Sequence, residues 1–254
     1  MKTLRTISFV AVVLFLGACP ALGALEFNDG LTHNIDYSIS GSVWVDWQTP
    51  AMYTTVNLLP GGSISSPYML KGFEYSRINI LGGSVYDLVS RGSSQVNMSG
   101  GSIGCHLYSS DSSQVNISGG SIGSYLYICD SSQADISGGE IGSYFWIYDS
   151  SQVNISGGTI RGPLWPSDNS IIRIFGSDFA VDGQPAGYGE LTNIFGGAYY
   201  EDPTRYLTGT LASGDLIYVP FNIGQDARII LIPEPATMAL LGIGLLVLRK
   251  GRVN

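Results

Sequence analysis

Residues 112–123 read SSQVNISGGSIG, and residues 150–160 repeat almost the same phrase as SSQVNISGGTI. The phrase recurs with a period of 19 residues, which is marked by Gln95, Gln114, Gln133 and Gln152. A fixed period near twenty residues is typical of solenoids, in which each repeat forms one coil of a stack. Fainter copies at residues 56–64 and 78–85, and a worn copy at residues 172–176, extend the array. The sequence therefore predicts a solenoid of about six or seven coils.

Apolar residues alternate with polar or aromatic ones within each copy. Val115 and Ile117 flank Asn116, and Leu126 and Ile128 flank a tyrosine. A period of two is that of a β-strand, so these aliphatic side chains are expected to point inward. Glycine pairs, which are typical of corners with a positive φ or a close backbone approach, recur at residues 100–101, 119–120, 138–139 and 157–158. We therefore predict an all-β parallel β-helix, or β-solenoid, whose like strands pair about 4.8 Å apart.

The repeats divide the chain into four predicted segments. A signal peptide is expected at residues 1–23, and the solenoid at residues 24–175, with its clearest copies at residues 93–170. Residues 176–231 lose the period but keep strand alternation, so we expect a β-rich cap over the open edge of the last coil. Residues 232–254 form a separate C-terminal segment.

Composition limits the function further. The 254-residue chain has 34 glycines and only 13% charged residues, a composition too apolar and too patterned for a disordered chain. Its formal net charge is −8, and several of its twelve basic residues lie in the terminal segments, namely Lys2, Arg5, Arg249, Lys250 and Arg252. The acidic body would repel phosphate groups, which argues against nucleic acid and anionic membrane surfaces as partners.

The N-terminus has the order of a secretory signal peptide. Two basic residues precede an apolar run at residues 7–16 and then the small residues of ACPALGA. This order predicts export and cleavage by signal peptidase after Gly23. The alternative is a lipoprotein signal, because residues 16–19, LGAC, resemble a lipobox that ends in an acylated cysteine.

Cysteine and histidine are scarce. Beyond the signal peptide only Cys105 and Cys129 remain, too few for a disulfide framework, and we expect both to be buried or half-buried free thiols. Because His33 and His106 are the only histidines, no zinc site of the Cys/His type and no cofactor are expected.

The C-terminus reads IPEPATMALLGIGLLVLRKGRVN. Its elements are Pro233, Glu234 and Pro235, an apolar run at residues 236–248, and the basic residues Arg249, Lys250 and Arg252. As a helix the run would be about 20 Å long, short of the roughly 30 Å hydrocarbon core of a bilayer. Snorkelling basic side chains would extend its reach. We predict a short transmembrane helix that anchors a precursor in the membrane.

This order of motif, helix and basic end resembles the PEP-CTERM sorting signal of Gram-negative bacteria. The resemblance implies recognition by an exosortase, cleavage near residues 233–235, and delivery to the cell surface or to an extracellular polysaccharide matrix. Residues 176–231 resemble the non-repeat end that precedes this signal in other exported bacterial β-proteins. The repeat itself is loosely similar to the Ser-Gly-Gly repeats of autotransporter adhesins.

The register also aligns acidic residues in one column, Asp111, Asp130, Asp149 and Asp168. Stacked carboxylates offer the oxygen ligands that Ca²⁺ prefers. The simpler interpretation is a turn in which each carboxylate accepts a backbone N–H from the serines that follow it, since the nine-residue calcium repeat is absent.

A second column is polar and is expected to face outward: Asn97, Asn116, Asp135 and Asn154. A regular polar row could match the surface of ice, and some ice-binding solenoids carry the same sorting signal. Ice-binding surfaces favour threonine, however, and the four best copies contain only Thr159. Hydrogen-bonded ladders between coils are therefore expected here.

A third set, which we name the aromatic stripe, comprises Tyr108, Tyr127, Trp146 and Trp165 in one column with Tyr125 and Tyr144 two residues before it. If Leu126 and Phe145 point inward, these rings point outward. Exposed aromatic rings can stack on sugars, although rings that pack on one another also stabilise a solenoid. The stripe is the predicted ligand-binding surface.

Catalysis is not expected. β-Helices that cleave acidic polysaccharides need clustered carboxylates and a basic residue, whereas Arg161 is the only Arg or Lys in the four best copies. A column of identical residues also lacks the different converging groups that catalysis requires. The sequence predicts an exported, non-catalytic surface or matrix protein that acts as a scaffold or a polysaccharide-binding adhesin. An ice-binding solenoid and a lyase-like enzyme are the alternatives.

Overall fold

The computed structural model describes residues 24–48, 52–191, 205–224 and 226–234. These residues form one 22-stranded sheet with no helix, and so none that could cross a membrane. The prediction of an all-β solenoid with a spacing near 19 residues is confirmed. The predicted signal peptide and membrane helix lie outside the described residues.

Each coil has three faces, and the first is a column of parallel strands. This column contains β2 (Thr32–Ile35), β5 (Thr55–Leu58), β7 (Arg77–Ile80), β9 (Gln95–Ile103), β11 (Gln114–Ile122), β13 (Gln133–Ile141), β15 (Gln152–Ile160), β17 (Ile171–Val181) and β22 (Arg228–Pro233). The long strands bend at their glycine pairs, so that their C-terminal ends form the second face. Upstream, the second face contains β3 (Ser38–Ile39) and the starts of β6 (Ser63–Gly72) and β8 (Ser84–Ser90).

After the second face the chain forms the third face of the coil and then enters the next coil. It contains β1 (Leu25–Phe27), β4 (Val43–Val45), the ends of β6 and β8, β10 (His106–Ser109), β12 (Tyr125–Ile128), β14 (Tyr144–Ile147) and β16 (Leu164–Pro166). Each of these strands pairs in parallel with the equivalent strand of the adjacent coil. Side chains at equivalent positions therefore stack on one another from coil to coil.

The interior consists of aliphatic ladders, as the alternation predicted. In the coil of β11 and β12 the buried side chains are Val115, Ile117, Ile122, Leu126 and Ile128. Phe145 occupies the place of Leu126 one coil later and is fully buried. Because side chains at equivalent positions stack on one another, each coil needs its two neighbouring coils to bury its inner side chains.

The glycine pairs form the predicted corners. Gly120 has a φ of 81°, in the left-handed region that a side chain disfavours. Gly119 has no such φ, but a Cβ built on it would lie 2.5 Å from the carbonyl oxygen of Ser99 in the preceding coil. One glycine of the pair is thus required by conformation and the other by the close approach of two backbones.

The stack contains about eight coils, more than the predicted six or seven. The first coil was missed because Thr32 pairs with Thr55, a spacing wider than the repeat. The last was missed because the partner of Ile171 is Arg228, far beyond the expected position. β22 therefore returns to the first face after an insertion.

The insertion covers the end of the stack. β20 (Arg205–Leu211) and β21 (Leu216–Phe221) form an antiparallel hairpin, and β20 also pairs antiparallel with the extended end of β17. Two short strands complete it, β18 (Gln184–Pro185) against β17 and β19 (Gly189–Glu190) against β22. These antiparallel strands cover strand edges that would otherwise be exposed at this end of the solenoid.

Candidate functional site

The third face presents the aromatic stripe in the predicted register. Tyr108, Tyr127, Trp146 and Trp165 are successive partners in one column, and Tyr125 pairs with Tyr144 in the neighbouring column. All six side chains are partly exposed, whereas the residues between them are buried. The outward orientation that the alternation predicted is therefore correct.

The rings cover much of one another. Tyr125 and Tyr144 stack at 5.2 Å between ring centroids with planes 11° apart, and Tyr125 and Tyr127 stack at 5.6 Å and 19°. At the other end Trp146 and Trp165 meet edge to face at 3.9 Å. The stripe consequently offers ring edges and phenol groups along its length. Such packing also stabilises the stack of coils.

The stripe ends at a cleft of about 190 Å³. The aromatic column is interrupted there, because Val89 is the partner of Tyr108 and Lys71 is the partner of Val89. The cleft is lined by Met69, Asp87, Leu88, Val89, His106, Tyr108 and Tyr127. It therefore combines an apolar floor, two aromatic rings, a carboxylate and an imidazole.

The two tyrosines of the cleft are hydrogen-bonding groups that stay protonated. Burial raises the pKa of Tyr108 and of Tyr127, with a further contribution at Tyr108 from the neighbouring Cys129. Burial also raises the pKa of the Cys129 thiol to about 11. As predicted, both cysteines of the described chain are free thiols, Cys129 buried and Cys105 half-buried.

Beside the cleft the structure brings together Asp87, Cys105 and His106, whose donor atoms all lie within 4.8 Å of one another. His106 Nδ1 is 3.0 Å from Asp87 Oδ1, and His106 Nε2 is 3.4 Å from Cys105 Sγ. The backbone N–H of His106 also donates to Asp87 Oδ1 at 2.9 Å. This group was not predicted from the sequence. A signal was present, since the next two coils have Ser124-Tyr125 and Ser143-Tyr144 where this one has cysteine and histidine.

The aspartate column forms turns, but not the turns predicted. Asp111, Asp130, Asp149 and Asp168 all have a positive φ between 56° and 61°. The Asp111 carboxylate accepts the backbone N–H of Gly92 at 2.8 Å, and the Asp130 carboxylate accepts that of Asp111 at 3.0 Å. The predicted bond to the following serines was therefore wrong, because those N–H groups donate to backbone carbonyls. The carboxylates of Asp111, Asp130 and Asp149 instead link their corners to the preceding coil, and that of Asp168 accepts from the hydroxyl of Ser167. These bonds give the column a structural role.

The polar column forms the predicted amide ladder. Asn116 Nδ2 donates to Asn97 Oδ1 at 2.9 Å, and the ladder continues upstream through Asn79, Asn57 and Asn34. These donors are engaged within the protein, which is the structural role expected for them.

The serine before each glutamine was not recognised as structural. Ser132 is fully buried, and its hydroxyl donates to the carbonyl oxygens of Cys129 at 2.5 Å and Ser109 at 3.3 Å. Ser151 makes the same pair of bonds one coil later. The preceding serines, such as Ser131, are exposed. The repeated SSQ thus has one surface serine and one that satisfies buried carbonyl groups.

The predicted sorting signal begins within the folded body. Pro233 is the last residue of β22 and pairs with Gly176 of β17, and Glu234 follows it half-buried. The remaining predicted residues of the signal, Pro235, Arg249, Lys250 and Arg252, lie outside the described residues.

Comparison with known proteins identifies this segment. Residues 231–252 match the PEP-CTERM protein-sorting motif. No curated protein and no solved structure matches the chain. The motif implies processing by an exosortase and an exported, cell-surface-directed protein. The chain is thus a β-solenoid protein with a PEP-CTERM sorting motif at its C-terminus.

Proposed function

We propose that the protein is a non-catalytic component of the cell surface or extracellular matrix that binds polysaccharide along its third face. The observation that supports this function best is the continuous aromatic stripe ending in the cleft. Sugars combine apolar C–H faces with hydroxyl groups, and sites of mixed aromatic and polar lining match both. An exosortase-sorted protein would meet such polymers at its destination.

The geometry favours one mode of binding. Tyr108 and Tyr127 line the cleft, where a single sugar ring would contact them and hydrogen-bond to the Asp87 carboxylate. Further sugars would lie along the edges and phenol groups of the stripe. Because the body is acidic, a neutral or amino-sugar polymer is favoured over a polyanion.

The same features support a non-catalytic role. Arg161, the basic residue that a lyase mechanism would require in the clear repeats, pairs with Glu140 at 2.6 Å on the exposed surface of the second face. It lies in neither the stripe nor the lining of the cleft. The lining of the cleft includes no arginine or lysine, which supports binding over lyase chemistry.

The test compares two pairs of tyrosines. Tyr108→Ala with Tyr127→Ala removes a pair whose ring centroids are 6.1 Å apart at the cleft, and Tyr206→Ala with Tyr218→Ala removes a similar pair, 5.3 Å apart, on the cap hairpin. Retention of each folded variant is measured by affinity electrophoresis through a panel of neutral, amino-sugar and acidic bacterial exopolysaccharides. Two aromatic contacts of about 1 kcal/mol each predict retention at least about tenfold weaker for the cleft pair only.

Equal retention of both double variants by every polymer, with wild-type circular dichroism, would leave a purely structural scaffold and reject polysaccharide binding. Release of unsaturated sugars from any polymer of the panel would instead show a lyase and reject the non-catalytic role.

A further inference from the structure

The group Asp87, Cys105 and His106 has the chemistry of a metal site. Thiolate, imidazole and carboxylate are the ligands that Zn²⁺ takes in proteins. Neighbouring residues in a strand point to opposite faces, but Cys105 lies in the corner before β10 and His106 is the first residue of that strand. Both side chains can therefore reach the same point outside the core.

The interatomic distances suit one arrangement of the ion. The Asp87 carboxylate can only accept, so the imidazole of His106 carries its hydrogen on Nδ1 and presents the lone pair of Nε2 to Cys105 Sγ. Zinc bonds of about 2.3 Å to sulfur and 2.05 Å to nitrogen place these two atoms roughly 3.5 Å apart in a tetrahedral site. The observed separation is 3.4 Å. An ion would thus take the place of the thiol hydrogen with little movement of either side chain.

The ring of His106 is held in this orientation from two sides. Asp87 binds Nδ1, which is the usual role of a carboxylate behind a zinc-binding histidine. Tyr125 packs against the ring with centroids 5.0 Å apart. The His106 side chain is nevertheless 38% exposed and Cys105 is half-buried, so an ion can reach the pair from solvent.

The repeat provides an independent argument. A structural role at these positions is met by serine and tyrosine, as in Ser124-Tyr125 and Ser143-Tyr144. The coil of β10 has a cysteine and a histidine at these positions, whereas the coils of β8 and β16 have Tyr86-Asp87 and Gly162-Pro163, so among these five coils only this one pairs two zinc-binding side chains there. The acidic body also raises the local concentration of cations.

We propose that Cys105 Sγ and His106 Nε2 bind Zn²⁺, that Asp87 positions the imidazole, and that solvent completes the coordination. Binding replaces the S–H hydrogen of Cys105 with the metal and releases one proton to solvent. This inference stands apart from polysaccharide binding, because the thiolate and imidazole alone hold the ion.

The test is titration of the full-length, metal-free chain with Co²⁺ as a spectroscopic substitute for Zn²⁺, followed by displacement with Zn²⁺. The expected spectrum has a near-ultraviolet thiolate-to-cobalt charge-transfer band and the intense visible bands of a tetrahedral site. Cys105→Ser and His106→Tyr should each abolish the charge-transfer band while preserving the fold, since the next two coils contain serine and tyrosine at these positions. Asp87→Asn should keep the band and weaken binding about tenfold to a hundredfold.

Cys129→Ser is the matched control, because the Cys129 thiol is buried, and it should leave the spectrum unchanged. Absence of a charge-transfer band in the wild-type chain, or its persistence in Cys105→Ser, would overturn the proposal. Retention of the metal-free Cys105→Ser variant on polysaccharide is measured in parallel. Loss of metal binding and loss of polysaccharide binding are thereby recorded as two separate results.

Discussion

The two serines of the repeated SSQ should differ sharply in their effect on stability. Ser132→Ala removes a fully buried hydroxyl that donates to the carbonyl oxygens of Cys129 and Ser109. Both carbonyls keep a backbone partner, since Cys129 O accepts from Ser132 N and Ser109 O from Cys129 N. The loss is therefore that of one net side-chain hydrogen bond with partial compensation by a buried methyl group, about 1–1.5 kcal/mol. For a body of this size the midpoint of thermal unfolding should fall by about 3–5 °C.

Ser131→Ala is the control, because Ser131 is exposed and adjacent in the same turn. Its midpoint should stay within about 1 °C of wild type, since exposed substitutions of this kind change stability by less than about 0.5 kcal/mol. Both variants are compared by differential scanning calorimetry at one scan rate. Equal midpoints for the two variants, or a larger loss for Ser131→Ala, would refute the assignment of the buried hydroxyl as the structural one.

Three further outcomes follow from the geometry. Gly120→Ala should destabilise the protein by more than about 1 kcal/mol in urea denaturation, because Gly120 has a φ of 81° and a Cβ there would contact backbone atoms. Gly187→Ala should leave the stability unchanged, because Gly187 has open space around it. Phe145→Ala should cost about 3–5 kcal/mol in the same assay and Phe145→Leu much less, since leucine fills this place in the adjacent coils. The backbone N–H of Gly158 holds the pKa of Asp215 below its ordinary value of 3.8, so this carboxylate stabilises the cap above that pH and loses its effect as pH falls through the lowered value. Near neutral pH the Asp215→Asn variant should therefore have a lower midpoint temperature of thermal unfolding than wild type. The difference between the two midpoints should become smaller in acid.

The sequence predicted best those features that depend on the alternation of apolar and polar residues along each strand. A period of two along each copy determined which side chains enter the core, and the 19-residue register then aligned Val115, Leu126 and their equivalents into ladders. The asparagine ladder followed from the same register. Such inferences are reliable because parallel pairing between coils makes a sequence column into a spatial one.

The features that the sequence could not give depend on contacts between coils that no local rule describes. The Asp130 carboxylate was expected to bond within its own turn, yet it accepts from Asp111 of the preceding coil. Ser132 was classed as a turn residue, yet the corner buries it among carbonyl groups. The last coil was hidden because Arg228 returns to the first face only after the cap strands.

The candidate sites have a common origin in departures from the repeat. In a column where every coil has the same residue, the side chain is explained by its stacking partners, as for Asn116 and Gly120. Val89 interrupts an aromatic column without adding a stacking contact, and Cys105 and His106 stand where the next two coils have serine and tyrosine. All three lie at or beside the cleft on the third face. A specific ligand requires different groups at one point, and the solenoid supplies such groups at this cleft.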